Sequence, residues 1–206
     1  MHKSGGRGLS PQPTLPPEQA LIWVEMLGPM LTWTERSGHS VLAIPRPTAT
    51  ALHGHTVIGL YFSADWCRPC SAFAPVLEKL YKAQRSRGNT QLEVVLVSRC
   101  REAKAMKHHR EDMPWLSMWH DTADEEGMEA RTSSLMAKFG ITAIPALVLL
   151  NKQGGLICVD ARDKCVADPE GRAFPWPQPS QSPRAAVMSV RANTAPSTKR
   201  ATPPVA

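Results

Sequence analysis

The hydrophobic residues of this chain form short uninterrupted apolar runs, separated by longer segments in which apolar positions recur every three or four residues. Runs of four to eight residues rich in Val, Ile, Leu and Phe are typical of strands buried on both faces. The pattern predicts strands at residues 41–44, 56–63, 92–98, 146–150 and 156–160. Pro45 and Pro47 are expected to stop the first of them.

The intervening segments carry the helical pattern. In the clearest of them Phe73, Leu77, Leu80 and Tyr81 share one face, and Gly88 follows as a stop signal. The predicted helices cover residues 18–27, 71–87, 101–111 and 124–139. Since strands and helices alternate, and a Gly-containing turn joins the last two strands, we expect an α/β fold. Its mixed β-sheet would be parallel in the centre, antiparallel at one edge, and flanked by helices.

Composition divides the chain into three parts. Residues 1–17 are rich in Gly, Pro and Ser, and residues 178–206 form a basic tail rich in Pro, Ser and Ala. Neither segment has enough apolar residues to build a core, so both are predicted to be disordered. Residues 18–177 are predicted to form one domain.

The net charge of +6 belongs to these flanks. Residues 1–17 and 172–206 together contain seven Lys and Arg residues and no acid, which leaves residues 18–171 with a net charge of −1. The domain itself therefore gives no reason to expect a nucleic-acid partner. No apolar run approaches the roughly 20 residues that cross a bilayer, so no membrane partner is expected either.

The five cysteines and the N-terminal segment bear on location. The cysteines do not form the regular framework of a small secreted domain, and no apolar signal core precedes residue 18. We therefore expect a monomer in the cytoplasm. The absence of acids before Glu18 leaves an organellar presequence open as an alternative.

The chemistry is expected at Cys67 and Cys70, where a predicted buried strand gives way to a helix. Two cysteines at this spacing can form and break a small disulfide, and the helix N-terminus favours a thiolate. Cys67 precedes the helix and is predicted to be the nucleophile, with Cys70 as the resolving thiol. Half of a zinc site is the alternative, but the chain has no second Cys-x-x-Cys motif and no metal is expected.

The residues around the pair are candidate contacts for a substrate. Trp66 offers a flat apolar surface, although packing alone would also account for it, and Pro69 lies between the cysteines. The charge of Arg68 should lower the pKa of Cys67 and make the couple more oxidising. The alternative is that Arg68 is a tolerated solvent-facing residue.

Four segments resemble the thioredoxin superfamily, and more narrowly its tryparedoxin/nucleoredoxin branch. They cover much of residues 40–177 in the family's order. The segments are Tyr61-Phe-Ser-Ala-Asp-Trp-Cys-Arg-Pro-Cys70, Asp112-Met-Pro-Trp-Leu116, Gly140-Ile-Thr-Ala-Ile-Pro-Ala-Leu147 and Asp168-Pro-Glu-Gly171 with Phe174-Pro-Trp176. The resemblance implies a thioredoxin-like fold and a protein-disulfide reductase.

The resemblance also implies roles for residues outside the cysteine motif. Pro145 matches the family's cis-proline, which would expose the backbone of Ile144 for pairing with a substrate chain. Tyr61 stands where many thioredoxins have a buried aspartate, and it is expected to donate a hydrogen bond rather than to accept a proton. Arg162 matches a family arginine and is a further candidate contact for the substrate.

Partners follow from the same resemblance. Tryparedoxins carry electrons from trypanothione to peroxiredoxins, so peroxiredoxin-type disulfide proteins are the expected targets. The expected donor is a small dithiol such as trypanothione, or glutathione, or a thioredoxin-reductase-type system. Where tryparedoxins have Trp-Asp-Glu, this chain has Arg99-Cys100-Arg101. Two arginines would repel the cationic polyamine of trypanothione, which argues against that donor.

Two other functions stay open at this point. The chain could keep the fold as a redox-weak protein that binds partners through the Trp66–Pro145 surface. It could also be a disulfide oxidase or isomerase, which Arg68 favours. Cys100 is either an extra redox thiol or a small residue at a strand end. Cys158 is expected in the core, and Cys165 has no evident partner.

Overall fold

A computed structural model describes residues 12–37, 40–88, 92–119 and 125–177. The strands are β1 Met30–Ser37, β2 Ser40–Pro47, β3 Val57–Ser63, β4 Leu92–Ser98, β5 Leu116–Met118, β6 Ala146–Asn151 and β7 Leu156–Cys158. The helices are α1 Pro17–Leu27, α2 Thr48–Ala51, α3 Arg68–Arg87, α4 Ala103–Glu111, α5 Glu125–Phe139 and α6 Ala161–Ala167. The strands form one mixed sheet in the order β2-β1-β5-β4-β3-β6-β7.

The centre of this sheet matches the prediction from apolar runs. Strands β3 and β4 are parallel and buried along their whole length, and β6 pairs with β3 in the antiparallel direction. Alternate side chains of β3 enter two separate hydrophobic cores. Tyr61 packs with Phe73 and Trp115 on one face of the sheet, whereas Phe62 packs with Trp23 and Leu27 on the other. The predicted mixed sheet flanked by helices is confirmed.

The structure differs from the prediction at the outer strands. A single strand was expected at residues 41–44, but β1 and β2 form an antiparallel hairpin in which Pro45 lies opposite Thr32. Proline is tolerated because β2 is the edge strand, where the missing N–H faces away from β1. Strand β5 is short and was not predicted. It joins the hairpin to β4, so its pairing depends on residues far away in the chain.

The folded region begins earlier than residue 18. Leu15 is buried in the core that also contains Trp23, and its N–H donates to the carbonyl oxygen of Ala49. Residues 12–17 therefore do not share the disorder predicted for residues 1–17. Residues 1–11 and 178–206, where the rest of the predicted flanks lies, fall outside the described residues, apart from residue 177 at their border. No helix of the described part is long and apolar enough to span a membrane.

A buried carboxylate lies at the start of β4. Glu93 is 3% exposed, and its Oε1 and Oε2 accept hydrogen bonds from the Tyr81 hydroxyl at 2.9 Å and from Arg85 Nη2 at 2.8 Å. Burial raises the pKa of Glu93, and the positive charge of Arg85 partly opposes that shift. The unfolded chain has the lower pKa for this group, so the folded protein binds the Glu93 proton more tightly.

We expect the stability contributed by protonated Glu93 to be present at acidic pH and lost as pH rises through its raised pKa. The free energy of unfolding of the parent protein, relative to Glu93→Gln, should therefore fall between about pH 4 and pH 7. Urea unfolding of both proteins at several pH values measures this difference. Glu35→Gln, at an exposed position of β1, is the control. A difference that grows with pH would contradict the prediction.

Candidate active site

The two cysteines of the motif lie at the junction of β3 and α3. Cys67 is the N-cap residue of α3, and its Sγ accepts a hydrogen bond of 3.2 Å from the backbone N–H of Cys70. The two sulfurs form a disulfide. Cys67 is 5% exposed, less than its position before the helix suggested, whereas Cys70 is fully buried. Cys67 is thus the sulfur that an incoming thiolate can reach.

The helix begins three residues earlier than predicted, and this places the pair correctly. The helical periodicity was visible only from Ser71, but α3 starts at Arg68 because Cys67 supplies the cap and Pro69 fits the first turn. Both sulfurs therefore lie beside the positive end of a 20-residue helix. This position favours the thiolate that forms when the disulfide is reduced.

Three of the predicted substrate contacts form an exposed rim around Cys67. Trp66 is 55% exposed, and its indole N–H donates to the backbone oxygen of Arg99 at 3.3 Å. Arg68 and Pro69 are also exposed on the first turn of α3. The hydrogen bond fixes the indole next to the disulfide, so Trp66 does not serve only to pack the core.

The backbone opposite the disulfide has the geometry that the resemblance implied. The Ile144–Pro145 peptide bond is cis. The carbonyl oxygen of Ile144 lies 3.8 Å from Sγ of Cys67, and the Ile144 side chain packs against both cysteines. A peptide chain that approached Cys67 would therefore meet the backbone of Ile144.

Tyr61 lies beneath the disulfide with its ring between Phe73 and Trp115. Its hydroxyl donates to the backbone oxygen of Cys70 at 3.2 Å. Burial raises the pKa of Tyr61, so the phenol stays protonated at neutral pH. This geometry agrees with the expected role as a hydrogen-bond donor.

A second polar pair next to Tyr61 was not predicted from the sequence. Ser63 is fully buried at the end of β3, and its Oγ lies 2.8 Å from Nε2 of His109 in α4. Burial lowers the pKa of His109, and the charge of Asp65 opposes the shift. The only signal in the sequence was that Tyr61 and Ser63 lie two residues apart, on the same face of a strand.

The Arg99-Cys100-Arg101 segment follows β4 and borders a groove of about 470 Å³. Trp66 closes one side of the groove, and the first half of α5 contributes Met128, Glu129, Thr132 and Ser133. The groove begins beside the disulfide, because the half-buried Cys100 packs against Cys67 and Cys70. A small thiol compound in this groove would be within reach of Cys67.

Cys100 itself is a free thiol. Its Sγ accepts a hydrogen bond of 3.3 Å from the backbone N–H of Asp65, and burial raises its pKa. The remaining cysteines, Cys158 and Cys165, are buried, and burial raises the pKa of each to about 12. All three thiols are thus poor nucleophiles at neutral pH compared with a thiolate at a helix N-terminus.

Arg162 lies in α6, and its guanidinium donates to the neighbouring Asp163. It is not among the residues that line the groove, and its contact with a substrate remains a prediction. Among the described residues no group of three His, Cys, Asp or Glu side chains could hold a metal ion.

Comparisons with known proteins agree with this site. A family model described as thioredoxin-like matches residues 54–156. Tryparedoxin of Trypanosoma brucei brucei is 38% identical over 128 residues, which is 62% of this chain and 83% of that protein. Nucleoredoxin of Danio rerio is 36% identical over 132 residues, 64% of this chain. That match spans only 30% of the nucleoredoxin.

The solved structures that resemble this one are tryparedoxins. Tryparedoxin II of C. fasciculata superposes with a TM-score of 0.63 at 30% identity, over 81% of this chain and 99% of that one. A structure of tryparedoxin II complexed with glutathionylspermidine gives a TM-score of 0.56 at 33% identity, over 71% and 92% of the two chains. The protein therefore belongs to the thioredoxin-like family, on the branch of the tryparedoxins and nucleoredoxins, as an oxidoreductase with Cys67 and Cys70 as its cysteine pair.

Proposed function

We propose that this protein reduces disulfides in other proteins and is itself reduced by a small thiol compound. The observation that carries the proposal is the Cys67–Cys70 disulfide at the start of α3, with one reachable and one buried sulfur. That asymmetry suits a nucleophile that leaves the surface free for a target and a resolving thiol that no target can reach.

The cycle needs only the two cysteines and an external donor. A donor thiolate attacks Sγ of Cys67, the Cys67–Cys70 bond breaks, and Cys70 leaves as a thiolate that takes up a proton. A second donor thiol then displaces Cys67 and leaves the donor as a disulfide. The Cys67 thiolate attacks a target disulfide and releases one target thiol. Cys70 finally attacks Cys67, which frees the second target thiol and restores the disulfide.

The residues around Cys67 support this cycle. The Cys70 N–H, 3.2 Å from Sγ of Cys67, would stabilise the thiolate each time it forms. The exposed Trp66 and the backbone of Ile144 provide an apolar and a polar contact for the target chain. We propose peroxiredoxin-type disulfide proteins as physiological targets, since tryparedoxin is among the relatives.

The groove beside the disulfide is the proposed donor site. A tryparedoxin structure contains glutathionylspermidine, a thiol with a cationic polyamine. In this chain Arg99 and Arg101 border the groove, with Glu129 as the acid among its lining residues. Positive charge at two of these positions would disfavour a cationic donor and favour an uncharged or anionic thiol. We therefore propose glutathione or another non-cationic thiol ahead of trypanothione.

The test measures reduction of insulin disulfides, and of an oxidised peroxiredoxin, with dithiothreitol, glutathione or trypanothione as donor. We expect catalysis with dithiothreitol and a weaker response to trypanothione than to non-cationic thiols. The Cys67→Ser protein provides the blank. Absence of catalysis with every donor would overturn the proposed function.

The arginines can be tested separately through donor preference. Arg101→Glu should raise the rate with trypanothione about three- to tenfold, since each exposed charge pair is worth up to about 1 kcal/mol. The gain should shrink in high salt, and the rate with dithiothreitol should stay unchanged. Lys152→Glu is the matched control, because Lys152 is exposed in the turn after β6, at the opposite end of β3 from Cys67. An equal gain from Lys152→Glu would show that only net charge matters.

A further inference from the structure

The resolving thiol of this site has no direct route to solvent. Cys70 is fully buried, and so are Tyr61 and Ser63 beside it. In the reduced protein Cys70 must lose its proton before it can attack the mixed disulfide at Cys67, because the thiolate is the nucleophile. A group inside the protein must therefore accept that proton, or the step would depend on rare access of water.

Hydrogen-bonded hydroxyls lead from Cys70 to a histidine. The Tyr61 hydroxyl lies 3.2 Å from the backbone oxygen of Cys70 and also hydrogen-bonds with Ser63. Ser63 Oγ in turn lies 2.8 Å from Nε2 of His109. Because a hydroxyl can rotate and both donate and accept, Tyr61 and Ser63 can pass a proton between their neighbours.

The position of His109 suits exchange with solvent. It is half-buried in α4, so one side of its ring meets Ser63 while the remainder approaches the surface. Burial keeps its pKa below the ordinary value, so the imidazole is neutral at neutral pH and can accept a proton. Asp65, in the loop after β3, is the charged group that opposes this shift and would stabilise the imidazolium once formed.

Other titratable groups near this path are less suited to the role. The pKa of Tyr61 is raised by burial, so it passes a proton without holding a charge. Cys100, next to Asp65, also has a raised pKa and stays a thiol. Arg110, the neighbour of His109 on α4, is a cation and accepts nothing. A carboxylate such as Asp65 is a weak base at neutral pH.

We propose that His109 accepts the proton of Cys70 through the hydroxyls of Tyr61 and Ser63, and so assists the resolving step. The inference rests on the proposed reductase function. As Cys70 attacks Sγ of Cys67, its proton moves to Tyr61, the Tyr61 proton to Ser63, and the Ser63 proton to Nε2 of His109. The Cys67–target bond breaks, the target leaves as a thiolate, and His109 later releases its proton to water.

The two chemical steps can be separated with Ellman's reagent, 5,5′-dithiobis(2-nitrobenzoate), added to the reduced protein in a stopped-flow instrument. The first thionitrobenzoate is released when Cys67 attacks, and the second when Cys70 resolves the mixed disulfide. His109→Gln retains a hydrogen-bonding group for Ser63 but cannot accept a proton. His108→Gln is the matched control, since His108 is the exposed neighbour on the same helix.

We expect His109→Gln to slow the second release about 10²-fold at pH 7, the usual size of a general-base effect, and to leave the first release unchanged. The parent rate should level off above the lowered pKa of His109, whereas the His109→Gln rate should keep rising with pH until the two converge. Ser63→Ala should slow the same step, because it interrupts the path.

Equal rates of the second release in the parent and in His109→Gln would overturn the proposal. An equal loss in His108→Gln, or a parallel loss in both releases, would also overturn it, because a purely structural role would then suffice. If the parent released no thionitrobenzoate from Cys67 at all, the proposed reductase function itself would fail. These outcomes therefore distinguish failure of the proton path from failure of the reductase.

Discussion

Cys67→Ser is expected to fold like the parent protein and to reduce no insulin above the rate of dithiothreitol alone. A serine hydroxyl is not ionised at neutral pH, so it cannot replace the thiolate that attacks a disulfide. The substitution is nearly isosteric, and the N-cap position of residue 67 suits serine. Insulin precipitation under dithiothreitol measures the loss, and the far-UV circular dichroism of the variant checks its fold.

Cys70→Ser should give the complementary result. It keeps the reachable nucleophile and removes the resolving thiol, so covalent adducts between Cys67 and a target or donor should accumulate. Non-reducing gels and intact mass measure these adducts, which dithiothreitol should release.

Cys100→Ser is the matched control for loss of a cysteine beside the disulfide. Cys100 packs against the pair, but burial raises its pKa, so catalysis should be retained. Turnover that survives Cys67→Ser and is lost in Cys100→Ser would assign the nucleophile wrongly. Turnover that survives in both variants would favour a redox-weak binding protein.

Gly171→Ala is expected to lower the free energy of unfolding by about 2–5 kcal/mol, the sum of a left-handed backbone cost and an overpacking cost. Gly171 has φ of +62°, and an added Cβ would lie 2.5 Å from Cδ1 of Leu80 and also against Nε2 of Gln84. Leu80 is fully buried in α3 and has no space to move. Urea unfolding measures the change.

Gly140→Ala provides the control that separates the two costs. Gly140 has φ of +65°, nearly the same as Gly171, but an added Cβ would meet nothing within 4 Å. It should therefore lose only the backbone contribution, about 1–2 kcal/mol. If the two variants were equally destabilised, the contact with Leu80 would contribute nothing.

Gly171 also shows why its segment closes the core. The side chain of Asp168 accepts hydrogen bonds from the backbone N–H groups of Arg172 and Ala173 and from the indole of Trp176. The segment thus folds back, and Trp176 joins the same hydrophobic core as Tyr61. The sequence motif identified the turn, but the need for glycine follows from Leu80, about 90 residues earlier in the chain.

The sequence predicted those parts of the fold that are encoded by neighbouring residues. The continuous apolar runs of β3 and β4 and the helical periodicity of α3 need no information from elsewhere in the chain. The hairpin of β1 and β2 was missed because Pro45 and Pro47 stop a central strand but not an edge strand. The edge position of β2 is a property of the assembled sheet.

The same division applies to the active site. The sequence by itself determined the cysteine pair, its place between a buried strand and a helix, and the family to which it belongs. Only the tertiary structure decided that His109 meets Ser63, 46 residues away, and that Ile144 faces Cys67 across 77 residues. Hydrogen bonds between distant residues depend on strand order and helix packing. Those features arise when the whole core is buried, and no local periodicity records them.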